Sequence, residues 1–442
     1  MRRRRVVVAV FVALAAAGGV AGLRTLHSPP TLLAIASSER AGLSLSTTSR
    51  DGLSQQLATL TVRVAANAAD DQAAVALADV LMRQARVVGD GSLPRRAEVA
   101  LTNTIAATDS YLGRRMLGAV YLAQHRFLEA LDAGRTAQRM RPDDSWNYGV
   151  IGDAAIELGR YDEAFDAFDR MASLKPTAAA YARIAYAREL QGNLEGALTA
   201  MRMAIEATSP QDPEGIAWAW SQLGALQVQQ GEVDRASTAY DRALFAFPRH
   251  PYALVGKAKV AAVRGDVDRA LAIYREQLVA APTPELAAQV GDLLHRRGDV
   301  EGARAAWAQA ERLEREGWKD ESPQPAALAR LLAERHLQPQ EAVRLATEAG
   351  QGRDDIFTND ALAWSLYQTG AFDQAWAASQ RARRTGTRDR RILYHAAAIA
   401  AARGDTTTAR TFAQRALDGH PTFDLIAAPA AQALLAQLTQ TP

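Results

Sequence analysis

The sequence predicts an all-α solenoid of about ten stacked helix–turn–helix units, and three observations carry that prediction. First, a turn residue followed five positions later by alanine recurs at His125/Ala130, Gly159/Ala164, Gly192/Ala197, Gly231/Ala236, Gly265/Ala270, Gly298/Ala303, Leu337/Ala342, Gly370/Ala375 and Gly404/Ala409. Successive turns keep one period, broken only by two longer gaps, from Gly192 to Gly231 and from Gly298 to Leu337. Second, small residues at Gly118, Gly152, Gly224 and Gly291 lie seven before their turns, and prolines at Pro142, Pro176, Pro210, Pro248, Pro282 and Pro421 lie 17 or 18 after. Third, the 442 residues are 48% hydrophobic but only 6% aromatic, with abundant alanine, which suits close-packed helices better than sheets. A period of this length means units that bury their apolar faces only by stacking.

The chain opens on Arg2–Arg5, followed by the uncharged run Val6–Leu23. A basic flank before an apolar run is an export signal. As a helix the run spans roughly 27 Å, close to a bilayer core of about 30 Å. Residues 1–23 are therefore expected to be either a retained membrane anchor or a signal peptide. Four arginines beside a run with no polar face argue against a buried helix. Residues 24–50, with Pro29-Pro30 and many Ser and Thr, read as a flexible linker.

Residues 51–110 read as atypical N-terminal helices. Leu53–Ala66 forms a lone first helix, and Asp71–Asp109 forms a further unit whose turn is lengthened at Val87–Pro94. Residues 111–423 hold the nine framed units. The two long gaps fall at Ser209–Gly215 and Glu314–Gln324, and they divide the array into blocks 111–216, 217–322 and 323–423. This is either a duplication of three-unit blocks with looser joints or two ordinary loop insertions. The unit at Pro323–Arg353 is the weakest, lacking both turn glycine and closing proline. Residues 424–442 are a capping helix, Ala428–Leu438, and a tail.

Ser145–Thr177 shows the unit most clearly, with Trp146, Gly152, the turn at Gly159, Ala164 and Phe168 four apart, and Pro176. This pattern resembles the tetratricopeptide repeat (TPR). In such a unit, a small residue in the first helix (A) and an alanine in the second (B) bring two backbones together. Phe168, Tyr240, Tyr274 and Trp307 then fill the remaining space.

Catalytic motifs are missing from the sequence: no phosphate-binding loop, nucleophile elbow, zinc helix or EF-hand loop. The histidines at 27, 125, 250, 295, 336, 395 and 420 include no i,i+3 or i,i+4 pair, and they read as surface or groove residues rather than ligands. Asp162-Glu163 begins a B helix, where carboxylates favour the positive helix end. Net charge is +2, and −2 without Arg2–Arg5, so the body has no field for nucleic acid. Cysteine is absent, which removes disulfides, thiol chemistry and a lipoprotein attachment site.

The resemblance implies a right-handed superhelix whose concave groove is lined by set positions of helix A. Carried over by alignment, these include Arg115, Trp146, Asp153, Tyr186, Trp218, Ser221, Tyr252, Lys259, Asp292, His295, Trp364, Tyr367 and Tyr394. Exposed Trp and Tyr serve peptide recognition at low entropic cost. The other reading is that several, Trp146 and Trp218 above all, pack against the preceding unit. The paired Lys and Asn with which some members clamp a C-terminal carboxylate are not at the matching positions. Arg381, Arg383, Arg384, Arg388, Arg390 and Arg391 form the one dense basic stretch of the body, read as a solvated helix end or as a contact for an acidic partner or anionic lipid.

The expectation is a non-enzymatic scaffold that needs no cofactor and binds a protein or peptide partner in the groove. Neither nucleic acid nor a small-molecule substrate is expected. The array would lie outside the cytoplasm, anchored in the cell membrane by a single N-terminal pass or secreted if the segment is cleaved. The alternatives are a subunit of an envelope assembly apparatus, of the polysaccharide-export or cytochrome-maturation type, and an unrecognised enzyme.

Overall fold

The computed structural model describes residues 50–88, 90–320, 324–420 and 422–440, together with the dipeptides 16–17 and 35–36. The anchor or signal reading and the linker reading therefore fall almost wholly outside the described residues. The two dipeptides pair antiparallel as β1 (Ala16–Ala17) and β2 (Ile35–Ala36). No helix among the described residues is long and apolar enough to cross a membrane.

All else is helix and connection. A lone helix α1 (Arg50–Ala66) precedes a first hairpin, α2 (Asp71–Val88) with α3 (Leu93–Thr108). Nine hairpins follow, numbered here as units 1–9. Unit 1 is α4 (Tyr111–Ala123) with α5 (Phe127–Met140), unit 2 is α6 (Ser145–Glu157) with α7 (Tyr161–Leu174), and unit 3 is α8 (Ala178–Leu190) with α9 (Leu194–Glu206). Unit 4 pairs α10 (Pro213–Gln230) and α11 (Val233–Ala246), unit 5 α12 (Pro251–Val263) and α13 (Val267–Ala280), and unit 6 α14 (Pro284–Arg296) and α15 (Val300–Asp320). Unit 7 pairs α16 (Pro325–Glu334) and α17 (Pro339–Gly350), unit 8 α18 (Ile356–Gln368) and α19 (Phe372–Ala382), and unit 9 α20 (Arg390–Ala402) and α21 (Thr406–Leu417). The capping helix is α22 (Ala427–Gln440). The expected all-α repeat solenoid is the observed fold, and each of the nine frames is a hairpin.

Local chemistry sets these boundaries. Most A helices start at a side chain that accepts from a first-turn amide, as Asp144, Thr177, Asp212 and Thr283 do, satisfying one of the donors a helix start leaves open. Seven glycines at the A-to-B turns adopt left-handed backbone, with φ from +74° at Gly192 to +88° at Gly231. His125 holds the same conformation in unit 1, with φ +58°. Unit 7 departs from the expected register. Leu337 is not the left-handed residue; His336 (φ +54°) and Gln338 (φ +42°) are, so this turn carries one extra residue.

The core forms as the pattern requires. A Cβ on Gly152 would run into the Phe168 ring, and one on Gly256 into the ring of Tyr240 from the unit before. Phe168, Tyr240 and Tyr274 are wholly enclosed, and Trp307 is buried. The two long insertions behave differently from each other. At the first, Arg83 of α2 reaches Asp212 at 3.5 Å, so the stretch is covered rather than loose. At the second, α15 and α16 pack against each other less than any other consecutive pair of helices.

Nine small rotations accumulate until the array meets itself. Ile356, Ala382 and Ile392 of units 8 and 9 share an apolar cluster with Tyr161, Tyr186, Leu190 and Trp218 of units 2–4. Leu425, just before α22, packs with Val255 and Leu293 of units 5 and 6. The array thus closes on itself, units 8 and 9 and the stretch before α22 packing against units 2–6.

Candidate functional site

The inner face of the A helices is built from the residues that the alignment selected, and closure divides them into two groups. In the first group the side chains are spent within the chain. Trp146 is buried and donates from Nε1 to the Arg115 carbonyl at 3.1 Å, so it packs on the preceding unit. Arg115 pairs with Asp144 at 3.0 Å and lies over the Trp146 ring. Asp153 accepts both arms of Arg183, at 2.9 and 2.6 Å, with both side chains almost fully enclosed. Asp292 is held the same way by Arg335, at 2.9 and 2.7 Å, and also accepts from Trp307 Nε1. Ser221 donates to the Ala217 carbonyl, and Tyr186 and Trp218 are buried against units 8 and 9. Trp364 is stacked between the rings of His395 and Tyr367, with centroids 4.0 and 4.7 Å away.

The second group stays half-buried: Tyr252, Lys259, Tyr367 and Tyr394. Burial pushes the Lys259 amine down to about 8, opposed by the carboxylates of Asp424 and Asp389 and reinforced by Arg391. Lys259 makes no hydrogen bond or ion pair among the described residues. Of the neighbouring charges, Arg391 joins Glu334 and Asp424. His295 is exposed and rests against Trp307. Three other histidines differ from expectation: His250, His395 and His420 are buried, and His395 Nδ1 lies 3.0 Å from both oxygens of Asp360.

In the basic stretch from Arg381 to Arg391, Arg381, Arg384 and Arg388 are exposed, and Arg384 and Arg390 reach distant units at the seam that closes the superhelix. Arg384 donates to the Gly159 carbonyl at 2.9 Å, pairs with Asp354 at 3.0 Å and lies over the Tyr161 ring. Arg390 donates to the Gln229 carbonyl at 3.1 Å and the Ala416 carbonyl at 3.0 Å. Arg383 covers Trp376 and Phe412, and Arg381 donates to Asn359. Arg388 is exposed, with its stem beside Gly192. Arg353 completes the seam, donating to the Glu157 carbonyl at 3.1 Å and its carboxylate at 2.6 Å.

The seam has one physical logic. Arg353, Arg384 and Arg390 neutralise carbonyls left open at the C-terminal ends of A helices in units 2 and 4, where the helix dipole also favours cations. The reciprocal bond runs from the Ile356 amide, open at the start of α18, to the Tyr161 hydroxyl at 2.8 Å. Sequence reasoning missed Arg353, Glu157, Tyr161 and Asp424. The first three have partners in distant units, Arg353 and Glu157 being 196 positions apart, and the arginine run was the one visible hint.

Residues 150–213 and 222–284 match the family model of the tetratricopeptide repeat. No curated protein matches the chain. Among solved structures, a tetratricopeptide repeat protein from Parabacteroides merdae is similar at 18% identity and a TM-score of 0.38, over 58% of this chain and 99% of its own. Yeast Tom70 is similar at 13% identity and a TM-score of 0.35, over 78% of this chain and 93% of its own. PilW, a widely conserved type IV pilus biogenesis factor, is similar at 17% identity and a TM-score of 0.39, over 45% of this chain and 91% of its own. The repeat assignment rests on the family match and on the hairpins themselves.

Proposed function

We propose that the chain is a non-catalytic scaffold that binds a segment of a partner protein on its inner face, at the half-buried patch of Tyr252, Lys259, Tyr367 and Tyr394. The observation that carries this reading is Lys259: a half-buried cation with no hydrogen bond or ion pair among the described residues, beside an Arg391 already joined to Glu334 and Asp424, asks for a group from outside. The half-buried tyrosines supply rigid contact area for such a segment. The apolar run after Arg2–Arg5 supports a body held outside the cytoplasm by an N-terminal membrane segment, or released there if that segment is cleaved.

Crosslinked capture from membranes tests the reading, using the full chain, a Lys259→Ala/Tyr252→Ala variant and a convex-face control, Phe245→Ser. Phe245 is 91% exposed on α11. A partner lost with the inner-face variant and kept by the control is the expected result. Equal retention by all three overturns the proposal, and loss with Phe245→Ser alone moves the interface to the convex face. A reporter fused after Pro442 should be active outside the cytoplasm; activity inside only would overturn the topology.

A further inference from the structure

We propose that units 7–9 and α22 act as a releasable intramolecular lid over the inner face of units 2–4, so that the closed superhelix hides the part of the groove holding Tyr186 and Trp218. The inference rests on the groove reading for its consequence, while the closure itself can be measured with no partner present.

Three features mark the seam as a docking surface around the apolar cluster that Ile356, Ala382 and Ile392 share with units 2–4. The seam bonds join connections to helix ends, not helix face to helix face: Arg353 to Glu157, Arg384 to Gly159, Arg390 to Gln229 and Ile356 to Tyr161. The turn glycines of units 2–4 are pressed against it. A Cβ on Gly159 would meet the Asp354 backbone, one on Gly192 the Gly386 carbonyl, and one on Gly231 the Gly419 carbonyl. At Gly265, Gly298, Gly370 and Gly404 the same Cβ would meet nothing within 4 Å. Finally, Phe168 sits on Gly152 of its own unit and Tyr240 between Gly224 and Gly256 of units 4 and 5, contacts made within the stack of consecutive units rather than across the seam.

Carboxyl groups from both sides meet at the seam. Glu189 of α8 accepts from Gln229 at 2.6 Å, and Asp389 is the carboxylate that acts on it across the seam. Asp389 itself faces Arg391 and Asp360 and caps α20. Glu157 faces Arg353, Asp355 and Asp153, with Tyr161 and Tyr186 close by. Burial pushes both Glu189 and Glu157 up to about 7. These raised values belong to the closed form, so protonation favours closure. These two carboxyls favour closure at mildly acid pH, an effect lost as pH rises through about 7. Burial pushes His420, against Gly231 and beside Arg390, down to about 4, so its protonation at lower pH opposes closure.

The natural absence of cysteine allows two spin labels to be placed cleanly, at Thr199→Cys on α9 and Thr411→Cys on α21, both exposed. Pulsed dipolar spectroscopy should give one narrow distance at pH 6. A second, longer population should appear at pH 9, and also at pH 6 in an Arg384→Ser/Arg390→Ser background, with far-UV circular dichroism unchanged. Glu189→Gln should reduce the pH response. A distribution unmoved by both pH and the arginine variant overturns the lid, and so does a seam variant that loses helicity as it opens, because the seam would then be core. Partner capture plays no part in this readout, so the lid and the groove reading fail separately.

Discussion

Gly192 and Gly298 hold the same turn position in units 3 and 6, yet replacing them should cost different amounts. Both need left-handed backbone, so alanine at either costs about 1–2 kcal/mol. Only at Gly192 does the new Cβ also run into a backbone carbonyl, that of Gly386, and it should therefore lower the melting temperature further than Gly298→Ala. Equal shifts in thermal denaturation would contradict the seam. Asp153 gives a second case at this scale. It was legible as an inner-face residue, but its enclosure with Arg183 was not, because the arginine comes from the next unit. Asp153→Ala should cost about 3–5 kcal/mol by stranding a buried guanidinium, whereas an Asp153→Leu/Arg183→Met double variant should recover most of it. Urea titrations of both variants decide this. If the single and double variants are equally destabilised, the cost lies in lost volume instead of stranded charge.

The helix pair is the element that sequence shows best, because its period is local. Gly152 against Phe168 and the closing prolines are all set within a single unit, and the observed hairpins fall in the expected frames. Unit 7 is the exception, and the cause is again local. With no glycine to mark the turn, alignment on Ala342 put the turn at Leu337, while the backbone turns left-handed at His336 and Gln338. The two registers make opposite predictions. His336→Gly should stabilise by about 1 kcal/mol through relief of left-handed backbone, and Leu337→Gly should destabilise, since Leu337 packs on the cores of units 5–7. Chemical denaturation of the two variants checks this, and stabilisation by Leu337→Gly would restore the sequence register.

At the scale of the whole molecule the sequence falls silent, since the path of a superhelix is the sum of small rotations that no single residue encodes. The basic stretch was visible, but its partners were not: Arg384 and Arg390 reach carbonyls that any residue could present. The groove was legible as a set of positions, and closure then decided which of them remain open to a partner. Trp218 and Tyr186 went under units 8 and 9, while Tyr252, Lys259, Tyr367 and Tyr394 stayed half-buried.

The central claim is that the superhelix closes on itself, and the Ile356 amide reports on it most directly. This amide is the first of α18, where helix amides have no intrahelical acceptor and exchange freely with water. Here it donates to the Tyr161 hydroxyl across the seam, at 2.8 Å. Amide hydrogen exchange resolved at Ile356 should show protection in the natural chain and its loss in Tyr161→Phe, with the protection of α6 and α7 interiors kept. Fast exchange at Ile356 in the natural chain, unchanged by Tyr161→Phe, would show an open solenoid and contradict the account.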